Sequence, residues 1–152
     1  MLQKVHAKKV SARGGNFAIV ASKYNSRFVD AMLRAAKKEI LRAGGKIEIV
    51  RVPGAYEIPV VAAKLARSQK FSAILCLGVI LRGATTHAQH IGEAVSNALV
   101  QIQIEHEVPV IHEVLLLENE QQAVERCLDK KHNRGTEAAQ TALAMAAVMR
   151  SL

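Results

Sequence analysis

Short apolar runs alternate along the chain with longer segments in which apolar residues recur every three or four positions. An unbroken run is typical of a strand buried on both faces, whereas the recurrence is typical of a helix with one buried side. Four strands are predicted, over residues 17–21, 46–52, 73–81 and 108–117. Helices are predicted from Ser26 to the Gly44-Gly45 pair and over residues 57–68, 86–106, 120–131 and 136–150.

Turn and capping residues mark several of these boundaries. Ser26 is expected to cap the first helix and Gly44-Gly45 to end it. Pro53-Gly54 closes the second strand, and Pro59 is tolerated because it falls in the first turn of the next helix. Strands that alternate with helices predict an α/β fold with a four-stranded parallel sheet and helices on both faces.

The composition fits one domain with a sizeable core. Of 152 residues, 50% are apolar but only 3% are aromatic, so Val, Ile, Leu and Ala must fill the core. A polar, basic leader over residues 1–16 is expected to precede a single domain over residues 17–152. The sequence leaves open whether this leader adds an edge strand to a sheet.

The net charge of +8 favours an anionic partner, either nucleic acid, a membrane surface or a phosphorylated substrate. The basic residues are dispersed and no zinc-finger or RNP-like motif accompanies them, so nucleic acid is not expected. No signal peptide opens the chain, and its apolar runs are far shorter than the ~20 residues that span a bilayer. A cytoplasmic protein without membrane contact is expected.

Residues 78–90, GVILRGATTHAQH, join a buried strand to the start of a helix. Such a junction lies at the carboxyl edge of a parallel sheet, where ligands bind, and the unpaired N–H groups of the helix start favour an anion. Thr85 and Thr86 add hydroxyl groups, and His87 can transfer a proton near neutral pH. The segment therefore predicts an anion site beside an acid/base group.

Three further strand exits are expected at the same rim of the sheet. They carry Tyr24-Asn25, the Gly-Ala-Tyr-Glu sequence of residues 54–57, and His112-Glu113. Aromatic rings, a carboxylate and histidines predict a pocket for a polar, partly aromatic ligand. Because neither GxGxxG nor GxxxxGK[ST] occurs, a dinucleotide or P-loop site is not favoured.

Four motifs then point to one family: SKYN at 22–25, VPGAYEIP at 52–59, GVILRGATTH at 78–87 and ERCLDKKHNRGTEAA at 125–139. Together they resemble 6,7-dimethyl-8-ribityllumazine synthases, and the resemblance extends over residues 17–149. It implies a flavodoxin-like three-layer sandwich. It also implies condensation of 5-amino-6-(D-ribitylamino)uracil with 3,4-dihydroxy-2-butanone 4-phosphate, the penultimate step of riboflavin biosynthesis, without a metal or other cofactor.

The resemblance implies that the pyrimidine ring lies between two strand exits. Tyr24 takes the place of an aromatic residue that stacks on the ring, with Asn25 beside it. Val79, Ile80 and Leu81 correspond to residues that contact the pyrimidine through their backbone groups.

Ala55, Tyr56 and Glu57 correspond to the segment that receives the ribityl chain. A carboxylate can accept hydrogen bonds from the hydroxyl groups of this chain. His112-Glu113 departs from the family, which has a Phe-Gly pair at these two positions. In the family, the ring of that Phe packs against the pyrimidine. His112 could still stack or form a hydrogen bond, whereas Glu113 adds a negative charge near the site.

The phosphate site implied by the resemblance contains Ala84 and Thr85, with Thr86 nearby. Arg126 would join it from a later helix, because a guanidinium offers a planar pair of donors to phosphate oxygens. His87 corresponds to the proton-transfer residue. The family builds its sites between subunits of a homopentamer or an assembly of pentamers, so Arg126 is expected to act across an interface.

Lys130, Arg134 and Glu137 match family positions near the phosphate and the histidine. Gln89-His90 replaces a family Asp-Tyr pair, and His87 and His90 share a helix face in the spacing of a metal-binding pair. With no clear third ligand, a metal site is not expected.

The sequence leaves two alternatives to the enzyme open. One is a non-catalytic flavin- or lumazine-binding protein of the same fold, which the charged Glu113 keeps open. The other is a flavodoxin-like electron carrier or nucleotide-binding module, which would carry bound, redox-active FMN.

Overall fold

The computed structural model describes residues 15–152. These residues form one four-stranded sheet with the order β2-β1-β3-β4, in which every neighbouring pair is parallel. The strands are β1 (Asn16–Ser22), β2 (Lys46–Val52), β3 (Ala73–Leu81) and β4 (Val110–Leu117). The helices are α1 (Ser26–Arg42), α2 (Ile58–Arg67), α3 (His87–His106), α4 (Glu120–Cys127) and α5 (Arg134–Ser151), and a single 3₁₀ turn (Ala55–Glu57) precedes α2.

Alternate residues of the central strands pack into two separate cores. In β1, Phe17, Ile19 and Ala21 join α1, α4 and α5, whereas Ala18 and Val20 join α2 and α3. Side chains of successive strand residues point to opposite faces, so a strand buried on both faces must be apolar throughout. The prediction of a flavodoxin-like three-layer sandwich with helices on both faces is confirmed.

Close backbone packing joins α5 to α1. Gly135, at the start of α5, lies against the Met32 carbonyl, and a Cβ at this position would overlap it. Ala138, Ala142 and Ala146 continue the buried side of α5. Small residues on this side let the two helices approach more closely than larger side chains would permit.

One predicted helix cap and two predicted helix boundaries are wrong. Asn25, not Ser26, is the N-cap of α1, and its backbone is left-handed (φ 56°), so its side chain forms no capping hydrogen bond. α4 ends at Cys127 instead of residue 131, because Asp129 Oδ1 accepts hydrogen bonds from the Lys131 and His132 N–H groups and turns the chain. α5 then begins at Arg134, two residues earlier than predicted.

The predicted leader of residues 1–16 lies outside the described residues except for its last two positions, and β1 begins at Asn16. The domain boundary at residue 17 therefore stays a prediction. Among residues 15–152, every helix is too short or too polar to cross a membrane.

Candidate active site

A cleft of about 840 Å³ opens at the carboxyl edge of the sheet. The cleft lies between the ends of the neighbouring strands β1 and β3. The chain runs from β1 to β2 on one side and from β3 to β4 on the other, so this is the switch point at which α/β sheets bind ligands. The lining residues are Tyr24, Asn25, Gly54, Ala55, Tyr56, Glu57, Val79, Ile80, Leu81, Gly83, Thr85, His87, Ala88, His90, Ile91 and Ala94.

β3 forms the floor of this cleft because it is longer than its neighbour β1. Pairing with β1 ends at Leu77, whereas β3 continues to Leu81. The Asn25 side-chain amide donates a hydrogen bond to the Val79 carbonyl at 2.7 Å, beyond the last paired residue. The backbone of the final β3 residues thus faces the cleft without a strand partner on the β1 side, and can bind a ligand.

Two tyrosines stand at the cleft with most of their surface open to solvent. Tyr24 is 74% exposed and Tyr56 is 65% exposed. The loop that carries Tyr24 is tied to the end of β2, because the Tyr24 N–H donates to the Pro53 carbonyl at 3.0 Å. Exposed aromatic rings on anchored loops are suited to stacking against a planar ligand.

Glu57 has a structural role within its own turn. Its Oε2 accepts a hydrogen bond from the Gly54 N–H at 2.9 Å, and the Glu57 N–H bonds the Gly54 carbonyl. This closed turn fixes the carboxylate at the cleft while using one of its two oxygens. Both interpretations made from the sequence, the helix-start carboxylate and the cleft carboxylate, are compatible with this geometry.

α3 presents its first turn to the cleft. Thr86 is the N-cap, but its side chain caps no backbone N–H; instead its Oγ1 lies 3.3 Å from His90 Nε2. Thr85 Oγ1 accepts a long hydrogen bond of 3.4 Å from the His87 N–H. The first N–H groups of a helix have no partner within the helix, so those of α3 that follow the His87 N–H can bind an anion.

Four predicted residues lie in the other helical layer and do not line the cleft: Arg126, Lys130, Arg134 and Glu137. Arg126 is in the last turn of α4, and Lys130 borders a groove beside α1. Arg134 Nε donates to Glu113 Oε1 at 2.6 Å, and Arg134 Nη1 is 3.1 Å from Glu137 Oε2. Ala84 and Thr86 lie next to the cleft in sequence without lining it.

His112 is not at the exit of β4, where it was expected. It is the third residue of a strand that ends at Leu117, and it lies outside the cleft. Its Nδ1 accepts a hydrogen bond from the Val114 N–H, and its Nε2 is 2.7 Å from Ser96 Oγ. A neutral ring whose Nδ1 accepts carries its proton on Nε2, so His112 donates to Ser96.

Glu113 points to the opposite face of β4 from His112 and is only 5% exposed. Burial raises the pKa of its carboxyl group, while the Arg134 guanidinium opposes that rise. The negative charge of Glu113 is therefore paired with Arg134 of the same chain and does not face the cleft.

The two cysteines are buried thiols without a catalytic environment. Burial raises the pKa of Cys76 to about 12 and that of Cys127 to about 11, so both are protonated at neutral pH. Within residues 15–152, no cluster of three or more His, Cys, Asp or Glu side chains could hold a metal ion.

His90, Ile91 and Ala94 line the cleft but were not predicted as part of the site. They follow His87 at intervals of three, four and seven residues on α3, which places them on the same helix face. Helical spacing from His87 could have identified them.

The fold and the cleft together define the class of the protein: a flavodoxin-like α/β sandwich with a small-molecule site at the switch point of its sheet. A sequence model of the 6,7-dimethyl-8-ribityllumazine synthase family matches residues 14–150. The chain belongs to this family. It is accordingly a transferase and an enzyme of riboflavin biosynthesis, and nothing in the comparisons favours the non-catalytic alternative.

Relatives named 6,7-dimethyl-8-ribityllumazine synthase match nearly the whole chain. The protein of Clostridium kluyveri is 38% identical over 152 residues, which cover 98% of this chain and 99% of that protein. The protein of Aquifex aeolicus is 40% identical with the same coverage of both chains. The protein of Desulfotalea psychrophila is 41% identical over 146 residues, 94% of each chain.

Proposed function

We propose that the cleft between β1 and β3 is the site at which 5-amino-6-(D-ribitylamino)uracil and 3,4-dihydroxy-2-butanone 4-phosphate condense to 6,7-dimethyl-8-ribityllumazine. Phosphate and water are the other products. The observation that carries this proposal is the convergence of exposed aromatic rings, an anchored carboxylate, a helix N-terminus and a histidine on one cleft. Each of these groups matches one chemical part of the two substrates.

The pyrimidine lies over the end of β3. Tyr24 stacks on the ring, a contact typically worth ~0.5–1.5 kcal/mol beyond the buried area. Apart from the Val79 carbonyl, the backbone groups of residues 79–81 that face the β1 side have no strand partner there, and these form hydrogen bonds with the ring edge, which needs both donors and acceptors. Asn25 supports this arrangement from behind, because its amide already holds the Val79 carbonyl.

The ribityl chain lies along Ala55, Tyr56 and Glu57. The Glu57 oxygen that does not bond Gly54 accepts hydrogen bonds from the ribityl hydroxyl groups. Since the Gly54 contact holds the carboxylate in place before the substrate arrives, less side-chain entropy is lost on binding.

The phosphate of the second substrate lies at the N-terminus of α3, against the segment of Ala84, Thr85 and Thr86. Backbone N–H groups there carry a partial positive charge, and Thr85 adds a hydroxyl group. Arg126 contributes the full positive charge. It is in the opposite helical layer of its own chain, so a neighbouring copy supplies it.

His87 transfers protons during the reaction. Condensation of the amine with the ketone, elimination of phosphate and ring closure each require a proton to move, and a positioned imidazole typically accelerates such steps ~10²–10⁴-fold. Holding both substrates in contact supplies much of the remaining acceleration.

The protein forms a homopentamer, or an assembly of pentamers, in the cytoplasm. Apolar side chains on α2 and α3 support self-association: Val60 and Ile104 are each 71% exposed and Val100 is 50% exposed. Val100 and Ile104 are four residues apart and share one face of α3. Contact between copies also brings Arg126, Lys130, Arg134, Glu137 and His112 to the cleft of a neighbour.

The test is to incubate the purified protein with both substrates and follow the absorbance and fluorescence of the lumazine. Product formation that depends on both substrates and on enzyme concentration supports the proposal. Binding of the pyrimidine without product at any enzyme concentration would contradict it and indicate a lumazine-binding protein. Tightly bound, redox-active FMN in the purified protein would indicate an electron carrier instead.

A further inference from the structure

Glu113 is an unusual residue for its position. It lies in the middle of β4 among apolar residues, is 5% exposed, and its Oε1 accepts a hydrogen bond of 2.6 Å from Arg134 Nε. An unpaired carboxylate is costly at such a site, so the position requires a partner for it. Arg134 is that partner.

A buried ion pair is a weak source of stability, because the loss of hydration offsets most of the attraction. An apolar side chain would fill the same place in the core at lower cost. What the ion pair provides is a fixed orientation of the guanidinium, because this group has a rigid plane and directional N–H donors.

The guanidinium of Arg134 is held on two sides and open on the rest. Its Nε bonds Glu113, and its Nη1 is 3.1 Å from Glu137 Oε2. Two of its five N–H donors are thereby directed to carboxylates. The side chain is still 26% exposed, so the remaining donors can reach solvent or a ligand.

The backbone beneath Arg134 is fixed as well. Asn133 Oδ1 accepts from the Gly135 N–H at 2.7 Å, and its Nδ2 donates to the Cys127 carbonyl at 2.6 Å. Gly135 lies against the Met32 backbone with no room for a side chain. Both the backbone and the guanidinium group of Arg134 are therefore fixed before any ligand binds. Such preorganisation favours strong binding of an anion.

We infer that Glu113 is a positioning residue, which orients the Arg134 guanidinium so that its outer donors bind the phosphate of the butanone substrate in a neighbouring cleft. The inference rests on the proposed function, including its sites between subunits. Glu113 does not touch substrate; it acts through Arg134.

The test compares Glu113→Gln with wild type in steady-state kinetics with both substrates. Gln keeps the shape but loses the charge that holds Nε, so the KM for the phosphorylated ketone rises about tenfold as the guanidinium becomes free to rotate. The KM for the pyrimidine changes less than twofold. Glu113→Asp, which keeps the charge, restores part of the affinity. Glu120→Gln, which removes the exposed partner of Arg27, is the matched control and leaves both constants unchanged.

A double-mutant cycle separates positioning from a general loss of structure. Arg134→Gln raises the same KM, and adding Glu113→Gln to it has no further effect, because Glu113 acts only through Arg134. If Glu113→Gln does not fold, Arg134→Lys takes its place, since Lys keeps the charge but has no Nε donor for Glu113. Arg134→Lys then raises the same KM about tenfold.

An unchanged or lowered KM for the ketone in Glu113→Gln, or an equal change for both substrates, overturns the inference. Arg134→Lys with wild-type constants also overturns it. Failure of the proposed function looks different, because wild-type protein would then form no product.

Discussion

The cleft residues combine a local structural contact with a group left available for substrate. Glu57 closes its turn through one oxygen, Asn25 holds the Val79 carbonyl, and the His90 ring lies against the Thr86 hydroxyl group. Each contact fixes a side chain or a backbone group before substrate binds. At this scale the site is preorganised by short-range hydrogen bonds, which sequence motifs do not reveal.

His87→Ala should slow turnover without abolishing it. The substrates would still be held together in the cleft, but the proton-transfer group would be missing, so kcat is expected to fall about 10²-fold or more. Steady-state rates of the variant and of wild type at saturating substrates provide the measurement, and a variant with the wild-type kcat would assign the proton transfer to another group.

His112 makes the stability of the protein depend on pH. Partial burial lowers the pKa of His112, although much of its surface is exposed, and protonation of Nδ1 would also break its bond with the Val114 N–H. The unfolded chain therefore binds the proton at a higher pH than the folded protein. This contribution to stability is present above about pH 6.5 and is lost as the pH falls below it.

His112→Gln should reduce that loss, because Gln does not titrate. The loss is measured by urea unfolding of wild type and of the variant at pH 8 and at pH 5.5. The free energy of unfolding should fall less between these two pH values in the variant. Equal losses in the two proteins would mean that His112 does not contribute.

At the scale of helices and strands, hydrophobic patterning predicted most of the fold. β3 has its predicted bounds because its apolar residues are continuous. In β2 the apolar residues are interrupted by Glu48 and Arg51, and its bounds follow from the turn residues on either side, Gly44-Gly45 and Pro53-Gly54. The end of α4 was predicted too late. The side chains of Asp129 and Asn133 accept hydrogen bonds from backbone N–H groups and stop the helix. The polar sequence around them also fits a helical pattern, so the pattern does not reveal this stop.

Gly135 and Gly92 offer a matched pair of helical glycines. Gly135→Ala should lower the free energy of unfolding by about 1–3 kcal/mol, because the new Cβ overlaps the Met32 carbonyl and forces α5 away from α1. Gly92→Ala should be neutral or stabilising by up to about 1 kcal/mol, because its Cβ would only contact Leu116 and alanine favours the helix.

Thermal unfolding of the two variants beside wild type measures this difference. Equal midpoints for Gly135→Ala and wild type would contradict the close packing of α5 on α1. A large loss of stability in Gly92→Ala would indicate that α3 has no room for a methyl group either.

At the scale of the whole molecule, the predicted site residues fall into two groups on different parts of one chain. Tyr24, Glu57 and His87 lie at the cleft, whereas Arg126 and Arg134 lie in the opposite layer. The sequence predicted the first group from strand exits. It could not place the second, because the contacts between copies that we propose are not encoded in the periodicity of one chain. His112 was misplaced although the strand predicted over residues 108–117 already contained it; that strand ends at Leu117 as predicted, which puts His112 inside β4 and not at its exit.

The central claim is that each cleft is completed by Arg126 from a neighbouring copy. The most direct measurement is to mix the inactive or weakly active variants His87→Ala and Arg126→Ala, dissociate and reassemble them, and assay lumazine formation. In a ring assembled at random from equal amounts, about one quarter of the interfaces would combine an intact His87 with an intact Arg126. We expect activity to recover to about that fraction of wild type. Activity no higher than the average of the two separate variants would contradict the claim.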